Sequence, residues 1–264
     1  MLTFRDLYTA LRKLELDRTR PVIAHGSLSS FGEVNGGADT VLGALLSISN
    51  SVMMPTFTFK PMLIPEVGPE SNAIRYGSGK DLNRMAEFFT PGMPVDPLMG
   101  TIPEALRLHP KAQRSMHPIL SFGGINASQE LEKQTLNEPL APIHALREGE
   151  GWVILLGVDH TVNTSIHYGE LLAGRKQFVR WALTPDGVLE CPGFPGCSNG
   201  FNAITPSLDK VIRRAQIGSS LVQAIPIAAL VETVLAMLRQ DPLALLCEKP
   251  DCERCNAVRE SIQK

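Results

Sequence analysis

His167 and Glu170 lie three residues apart in Asn163-Thr164-Ser165-Ile166-His167-Tyr168-Gly169-Glu170. On a helix that spacing puts both side chains on one face. A carboxylate beside an imidazole favours its cationic form and can fix its tautomer, and a general base benefits from both. Spacing alone leaves a second reading open, that of a satisfied histidine beside a surface acid. The five cysteines form the other reactive group, and none precedes Cys191. Cys247, Cys252 and Cys255 cluster in the tail, while Cys191 and Cys197 bracket a short loop rich in Pro and Gly. An odd count argues against a disulfide framework. Four thiolates, the tail three plus Cys191 or Cys197, suit a structural Zn²⁺; free buried thiols are the alternative.

These groups need elements to hold them. Residues 152–158 are continuously apolar, as a strand covered on both faces would be. Residues 159–163 read as a turn and 164–174 as a helix, which sets His167 and Glu170 just beyond the carboxyl end of a strand, where open α/β sheets bind ligands. Upstream, 3–14 has helical periodicity with Thr3 and Asp6 as a cap. Residues 21–25 read as a strand, running into the turn Gly26-Ser27-Leu28-Ser29-Ser30-Phe31-Gly32. A helix is expected over 36–46 and a strand over 51–57. Thr101 should cap a helix that stops before Pro110, with short helices over 128–136 and 142–147 and a longer one over 226–238. Residues 60–98 are polar and rich in Pro and Gly, and are expected to form a long, mobile or functional loop. Strands alternating with helices imply an α/β fold, one domain over 1–264 with a central mixed sheet flanked by helices.

Composition narrows the function. The chain has 264 residues, 44% hydrophobic and 20% charged, with a net charge of −2. No basic footprint for nucleic acid exists. Charges at Arg5 and Asp6 sit where a secretory signal needs an apolar run. The longest apolar stretch, 225–238, is broken by Pro226, Glu232 and Thr233 and falls short of the ~20 residues of a membrane span. A cytoplasmic enzyme acting on a small molecule is therefore expected. Gly77-Ser78-Gly79-Lys80-Asp81 lacks the hydroxyl of a P-loop, and no Gly-x-Ser-x-Gly elbow is present.

Several ordered motifs resemble the aminoglycoside N3-acetyltransferase (antibiotic N-acetyltransferase) family. They are Ala24-His25-Gly26-Ser27-Leu28-Ser29-Ser30-Phe31-Gly32, Asn35-Gly36-Gly37-Ala38 and Met53-Met54-Pro55-Thr56-Phe57. Further along come Met99-Gly100-Thr101-Ile102-Pro103-Glu104, Arg114-Ser115-Met116-His117-Pro118 and the His167–Glu170 segment. The resemblance implies that family's fold and direct transfer of acetyl from acetyl-CoA to an amine, the 3-amino group of an aminoglycoside. His167 would be base and Glu170 its partner. It also implies that His25, Ser27, Leu28 and Ser29 lie near the pantetheine and thioester, and that Arg114 and Ser115 belong to the CoA site; Arg114 is equally suited to an internal carboxylate.

No cysteine lies near these segments, so a ternary complex is simpler than an acetyl-cysteine intermediate. The cysteine-rich tail departs from the better-known members. Cys197, followed four residues later by Phe201, looks like a position shared with zinc-free relatives, which favours Cys191 as the fourth ligand. An aminoglycoside is polycationic and wants carboxylates around it, for which Glu66, Glu70, Asp96 and Asp159 are candidates. His109, His144 and His160 read as structural or solvated, with His160 near enough to the active segment to line a pocket. Two rivals stay open: an acetyltransferase for another amine, and a CoA-binding protein without turnover.

Overall fold

The computed structural model describes residues 1–262. Ten strands form two sheets: β1 Val22–Gly26, β2 Val52–Pro55, β3 Met62–Leu63, β4 Ala112–Arg114, β5 Phe122–Ile125, β6 Trp152–Leu156, β7 Phe178–Thr184, β8 Gly187–Phe194, β9 Arg213–Ile217 and β10 Ser220–Pro226. Seven of them make the central sheet in the order β4-β5-β2-β1-β6-β10-β9. Its centre, β2-β1-β6, is parallel and its outer pairs are antiparallel. The smaller sheet, β3-β7-β8, is antiparallel.

The period-two rule of strands assigns the two faces. Ile23, Met53, Val153 and Leu155 join one core, while Val22, Ala24, Val52, Met54, Ile154 and Leu156 join the other. Helices α1 Phe4–Arg12, α2 Gly37–Ile48 and, after the short α3 Lys80–Met85, α4 Thr101–Leu108 cover the second core. On the first lie the short α5 Ser128–Leu131, α6 Ala141–Glu148 and α7 Thr164–Leu172, the short α8 Thr205–Leu208, α9 Ile227–Gln240, and the smaller sheet through Phe178, Ala182 and Phe194. Helix α10, Glu253–Ile262, closes the described chain. No described helix is long and apolar enough to cross a membrane.

Most of the expected elements form, with three differences. Residues 60–98 hold β3, α3 and a 3-10 turn at Pro97–Met99. That region is pinned by Asn72, whose side chain accepts from the Val179 N–H at 2.8 Å and donates to the Val179 carbonyl at 3.0 Å, imitating a strand partner. Thr101 is the first residue of α4 and not its cap; Gly100, at φ 86°, ends the preceding turn and takes the cap position. The helix expected over 128–136 stops at Leu131.

Helices α7 and α9 cross closely where a Cβ added to Gly169 would lie 2.7 Å from the Val234 side chain. Gly169 stands between His167 and Glu170, so this crossing sets their depth. Alanine is normally the better helix former by ~1 kcal/mol, yet Gly169→Ala should destabilise the protein by about 1–3 kcal/mol through overpacking. Urea unfolding reads this, and an unchanged or raised midpoint would contradict the contact.

Candidate active site

The parallel strands β1 and β6 end side by side, and a cavity of about 960 Å³ opens at their carboxyl ends. Its walls come from the turn after β1 (His25 to Ser29), the turn and helix after β6 (Val158, Thr161 to Thr164 and His167), the segment 97–103 and the segment 194–198. Gly157 makes the junction possible: at φ 65°, a Cβ there would lie 1.9 Å from Ser30 Oγ.

Helix α7 starts at Asn163, fully buried, whose side chain accepts from the Ser165 N–H at 3.2 Å. His167 follows on the first turn and lines the cavity. Its Nδ1 is 2.7 Å from Glu170 Oε2. A carboxylate accepts only, so Nδ1 carries the proton and Nε2 is left as the basic nitrogen. The other oxygen of Glu170 accepts from Arg175 Nη1 at 2.6 Å, and Arg175 also donates to the carbonyls of Pro242 at 2.6 Å and Ala244 at 2.8 Å. Glu170 is only 2% exposed, so without these two partners its charge would be very costly to bury. Phe201 packs edge-on against the His167 ring, centroids 4.7 Å apart.

His25, Ser27, Leu28 and Ser29 all line the cavity. Burial pulls His25 down to about 3, so it is neutral at working pH. The Ser27 N–H is spent on the Leu156 carbonyl at 3.2 Å. Those of Leu28 and Ser29 open the 3-10 turn Leu28–Phe31, with no side-chain cap over it; such leading N–H groups have no partner within their own helix. The Ser27 and Ser29 hydroxyls bond each other at 2.9 Å.

Arg114 and Ser115, expected at the CoA site, do not line the cavity. The Arg114 guanidinium is committed inside the protein, to Ser121 Oγ at 3.0 Å, to the Thr56 carbonyl at 2.7 Å and to the carbonyls of Pro91 and Met93. Ser115 Oγ accepts from the Phe122 N–H at 2.8 Å. Arg114 rivets the β4–β5 edge to neighbouring loops, and Ser115 ties the end of β4 to β5. In the same motif His117 Nδ1 accepts from the N–H groups of Ile119 and Leu120, and burial lowers its pKa to about 4.

The other histidines are also tied up within the protein. His160 is buried, with its N–H on Asn202 Oδ1 at 3.0 Å. His144 Nδ1 is 2.7 Å from the Tyr168 hydroxyl, and His109 Nδ1 accepts from the Lys111 N–H at 3.2 Å.

Of the acceptor-site carboxylates expected, none lines the cavity. Asp96 caps the 97–99 turn. Asp159 lines an adjoining depression, its oxygens taken by Thr161 and Asn202. Among the described residues the cavity lining holds no Asp or Glu, and its one permanently charged side chain is Arg254.

The cysteines resolve into one cluster and one outlier. Cys197, Cys247, Cys252 and Cys255 place their Sγ atoms within 4.8 Å of one another, with Cys247 and Cys255 at 3.5 Å. Tetrahedral Zn–S bonds of about 2.3 Å need thiolates roughly 3.8 Å apart, so the four fit the ion. Cys191, favoured above as the fourth ligand, is corrected: it faces the apolar core from β8, where burial lifts its thiol to about 12, and Cys197 takes the place.

The family pattern described as Aminoglycoside 3-N-acetyltransferase matches residues 23–239. The chain belongs to that family. Its sequence is 28% identical over 251 residues to aminoglycoside N(3)-acetyltransferase III of Salmonella sp, covering 82% of this chain and 83% of the relative. In fold it is similar to the aminoglycoside acetyltransferase AAC(3)-IVa apoenzyme, with a TM-score of 0.79, 23% identity and 98% of each chain covered. It is similar also to AAC-IIIb solved with CoASH, with a TM-score of 0.74, 20% identity, and 90% and 96% covered. Of the resemblance-derived pair, His167 lines the cavity and Glu170 is buried behind it. Arg175 and Arg254 went unnoticed in the sequence; Arg175 follows Gly174 immediately beyond the α7 C-terminus, and that was the available signal.

Arg175→Met should leave Glu170 buried and half-paired, lowering stability by about 3–5 kcal/mol. The double variant Arg175→Met/Glu170→Gln should recover part of that loss in denaturant unfolding. A loss in the double variant equal to the sum of the losses of Arg175→Met and Glu170→Gln alone would show that the two side chains are not coupled.

Proposed function

We propose that this chain transfers acetyl directly from acetyl-CoA to an amine, with His167 as general base. The observation that carries the reading is the buried His167–Glu170–Arg175 line, which leaves a basic imidazole nitrogen in the cavity. An alkyl amine with a pKa of ~10 is an ammonium at neutral pH and cannot attack a thioester until deprotonated. Nε2 of His167 takes the ammonium's proton, the amine nitrogen bonds to the acetyl carbonyl carbon, the adduct's surplus N–H proton passes to water, and the tetrahedral adduct collapses by breaking the C–S bond. The imidazolium then returns the proton to the departing CoA thiolate. Glu170 steadies the imidazolium, and Arg175 holds the other oxygen of Glu170. The leading N–H groups of Leu28 and Ser29 suit the oxyanion. The likeness to a structure solved with CoASH supports CoA as co-substrate.

The family description supports the 3-amino group of an aminoglycoside as acceptor. The cavity lining without carboxylates favours a second reading, another amine. His167→Ala should lower kcat by ~10²–10⁴ in a thiol-release assay with acetyl-CoA, and turnover that survives the change would overturn the mechanism. CoA binding with no acetylation of any amine would instead identify a CoA-binding protein without turnover.

We also propose a structural zinc held by Cys197, Cys247, Cys252 and Cys255, and a cytoplasmic setting, where thiols stay reduced. Metal analysis of protein purified without added zinc should find about one ion per chain. Chelation should lower Tm, and Cys191→Ser should leave the metal content intact. Protein that is fully folded and zinc-free would contradict the site.

A further inference from the structure

Helix α10 brings Arg254 into the wall of the active cavity. One of its N–H groups, on Nη1, donates to the Gly196 carbonyl at 3.0 Å. It forms no ion pair with a carboxylate among the described residues, whereas every other cation named near the site is committed: Arg175 to Glu170, and Arg114 to carbonyls. Arg180 stands behind the same wall, buried, stacked 4.8 Å over Phe194, and equally without a carboxylate. Burial brings Arg180 down to about 10, and Arg254 pushes in the same direction. Glu253 offsets part of this charge from outside the cavity, but the cavity lining itself presents Arg254 and no carboxylate, so this face attracts anions.

The wall also belongs to the same cavity that His167 lines. The segment anchored by Arg254, Pro195 to Ser198, runs on to Phe201, which packs on the His167 ring. The phosphates of CoA are a full pantetheine arm away from its thioester. An acceptor's own substituents lie within a few bonds of its amine, in the chamber that His167 and Arg254 share.

We propose that the acceptor is an amine carrying an anionic group, a carboxylate or a phosphate, and that Arg254 holds this group while His167 works on the amine. The inference rests on the acetyl-transfer reading and narrows its substrate class. Arginine suits the task because its planar fork pairs bidentately with either anion.

The test is thiol release from acetyl-CoA with three panels: aminoglycosides, simple polyamines, and amines bearing a carboxylate or phosphate (amino acids, dipeptides and amino-sugar phosphates). The anionic amines should give the highest kcat/KM. Arg254→Gln should raise KM for them at least tenfold, well beyond any change in KM for acetyl-CoA. Arg254→Lys should rescue part of the loss, and Arg254→Glu should shift preference toward cationic amines. Three results would overturn the proposal. They are a wild-type preference for polycationic acceptors, a KM effect of Arg254→Gln confined to acetyl-CoA, and an effect of that variant confined to lost zinc. If no amine of any panel releases thiol, the transferase reading has failed. Calorimetry of the anionic panel against wild type and Arg254→Gln then still decides the inference: equal affinity for both would sink it.

Discussion

A buried negative charge organises this protein. Glu170 is almost fully withdrawn from water, and a carboxylate there survives only with partners close at hand. One partner, His167, reaches the cavity; the other, Arg175, reaches the carbonyls of Pro242 and Ala244 after α9. The line therefore runs from the reaction chamber through α7 to the chain that leads into the tail. Each member constrains the next: Arg175 holds one oxygen of Glu170, and the other oxygen keeps the proton of His167 on Nδ1. The basic nitrogen in the cavity is the product of that constraint.

The sheet supplies the place for it. Two parallel strands ending side by side leave their following turns to face each other across one opening. The turns approach so closely that Gly157 meets Ser30 with no room for a side chain. On the far side of α7, Gly169 lets α9 come within contact of the backbone. Glycines thus fix the histidine from two directions, by absence of bulk and not by attraction. The dense apolar packing on both faces of β1 and β6 makes these approaches rigid.

Much of this was legible in the sequence, and unevenly so. The run 152–158 and the helix after it announce themselves because a strand buried on both faces must be apolar throughout. Motif resemblance supplied His167 and Glu170 with a reaction that their spacing could not. Strands β7 to β10 were not foreseen: β7 alternates in burial, but its outward positions are Val179, Trp181 and Leu183 while Arg180 points inward, and β8 exposes four consecutive residues before turning inward. Arg114 misled because an arginine inside a motif reads the same whether it meets a phosphate or three carbonyls and a hydroxyl; only the fold shows which. Cys191 misled for a similar reason. Both it and Cys197 lie at the ends of one tight loop, and the pleat of β8 turns Cys191 into the apolar core while Cys197 reaches the tail cysteines.

The tail is where structure and specificity meet. Cys197 sits between Gly196 and Ser198, both in the cavity wall, and Cys252 and Cys255 flank Glu253 and Arg254 at the start of α10. A metal joining these thiols would fix α10 to the wall segment, and with it the position of the one permanent charge in the cavity lining. Four thiolates around Zn²⁺ carry a net charge of −2, which would lower the cost of holding Arg180 and Arg254 near one another. The same charge lies behind the wall, however, and cannot satisfy the N–H groups that Arg254 turns toward the chamber. An arginine with one donor on the Gly196 carbonyl still has four to place. In a chamber whose other polar groups are hydroxyls, backbone, the Asn163 amide and two imidazoles, those donors are the strongest feature an anionic ligand meets. On the proposed reading, catalysis is set by the buried line through Glu170, whereas the choice of acceptor is set by what the tail brings to the opposite end of the same loop.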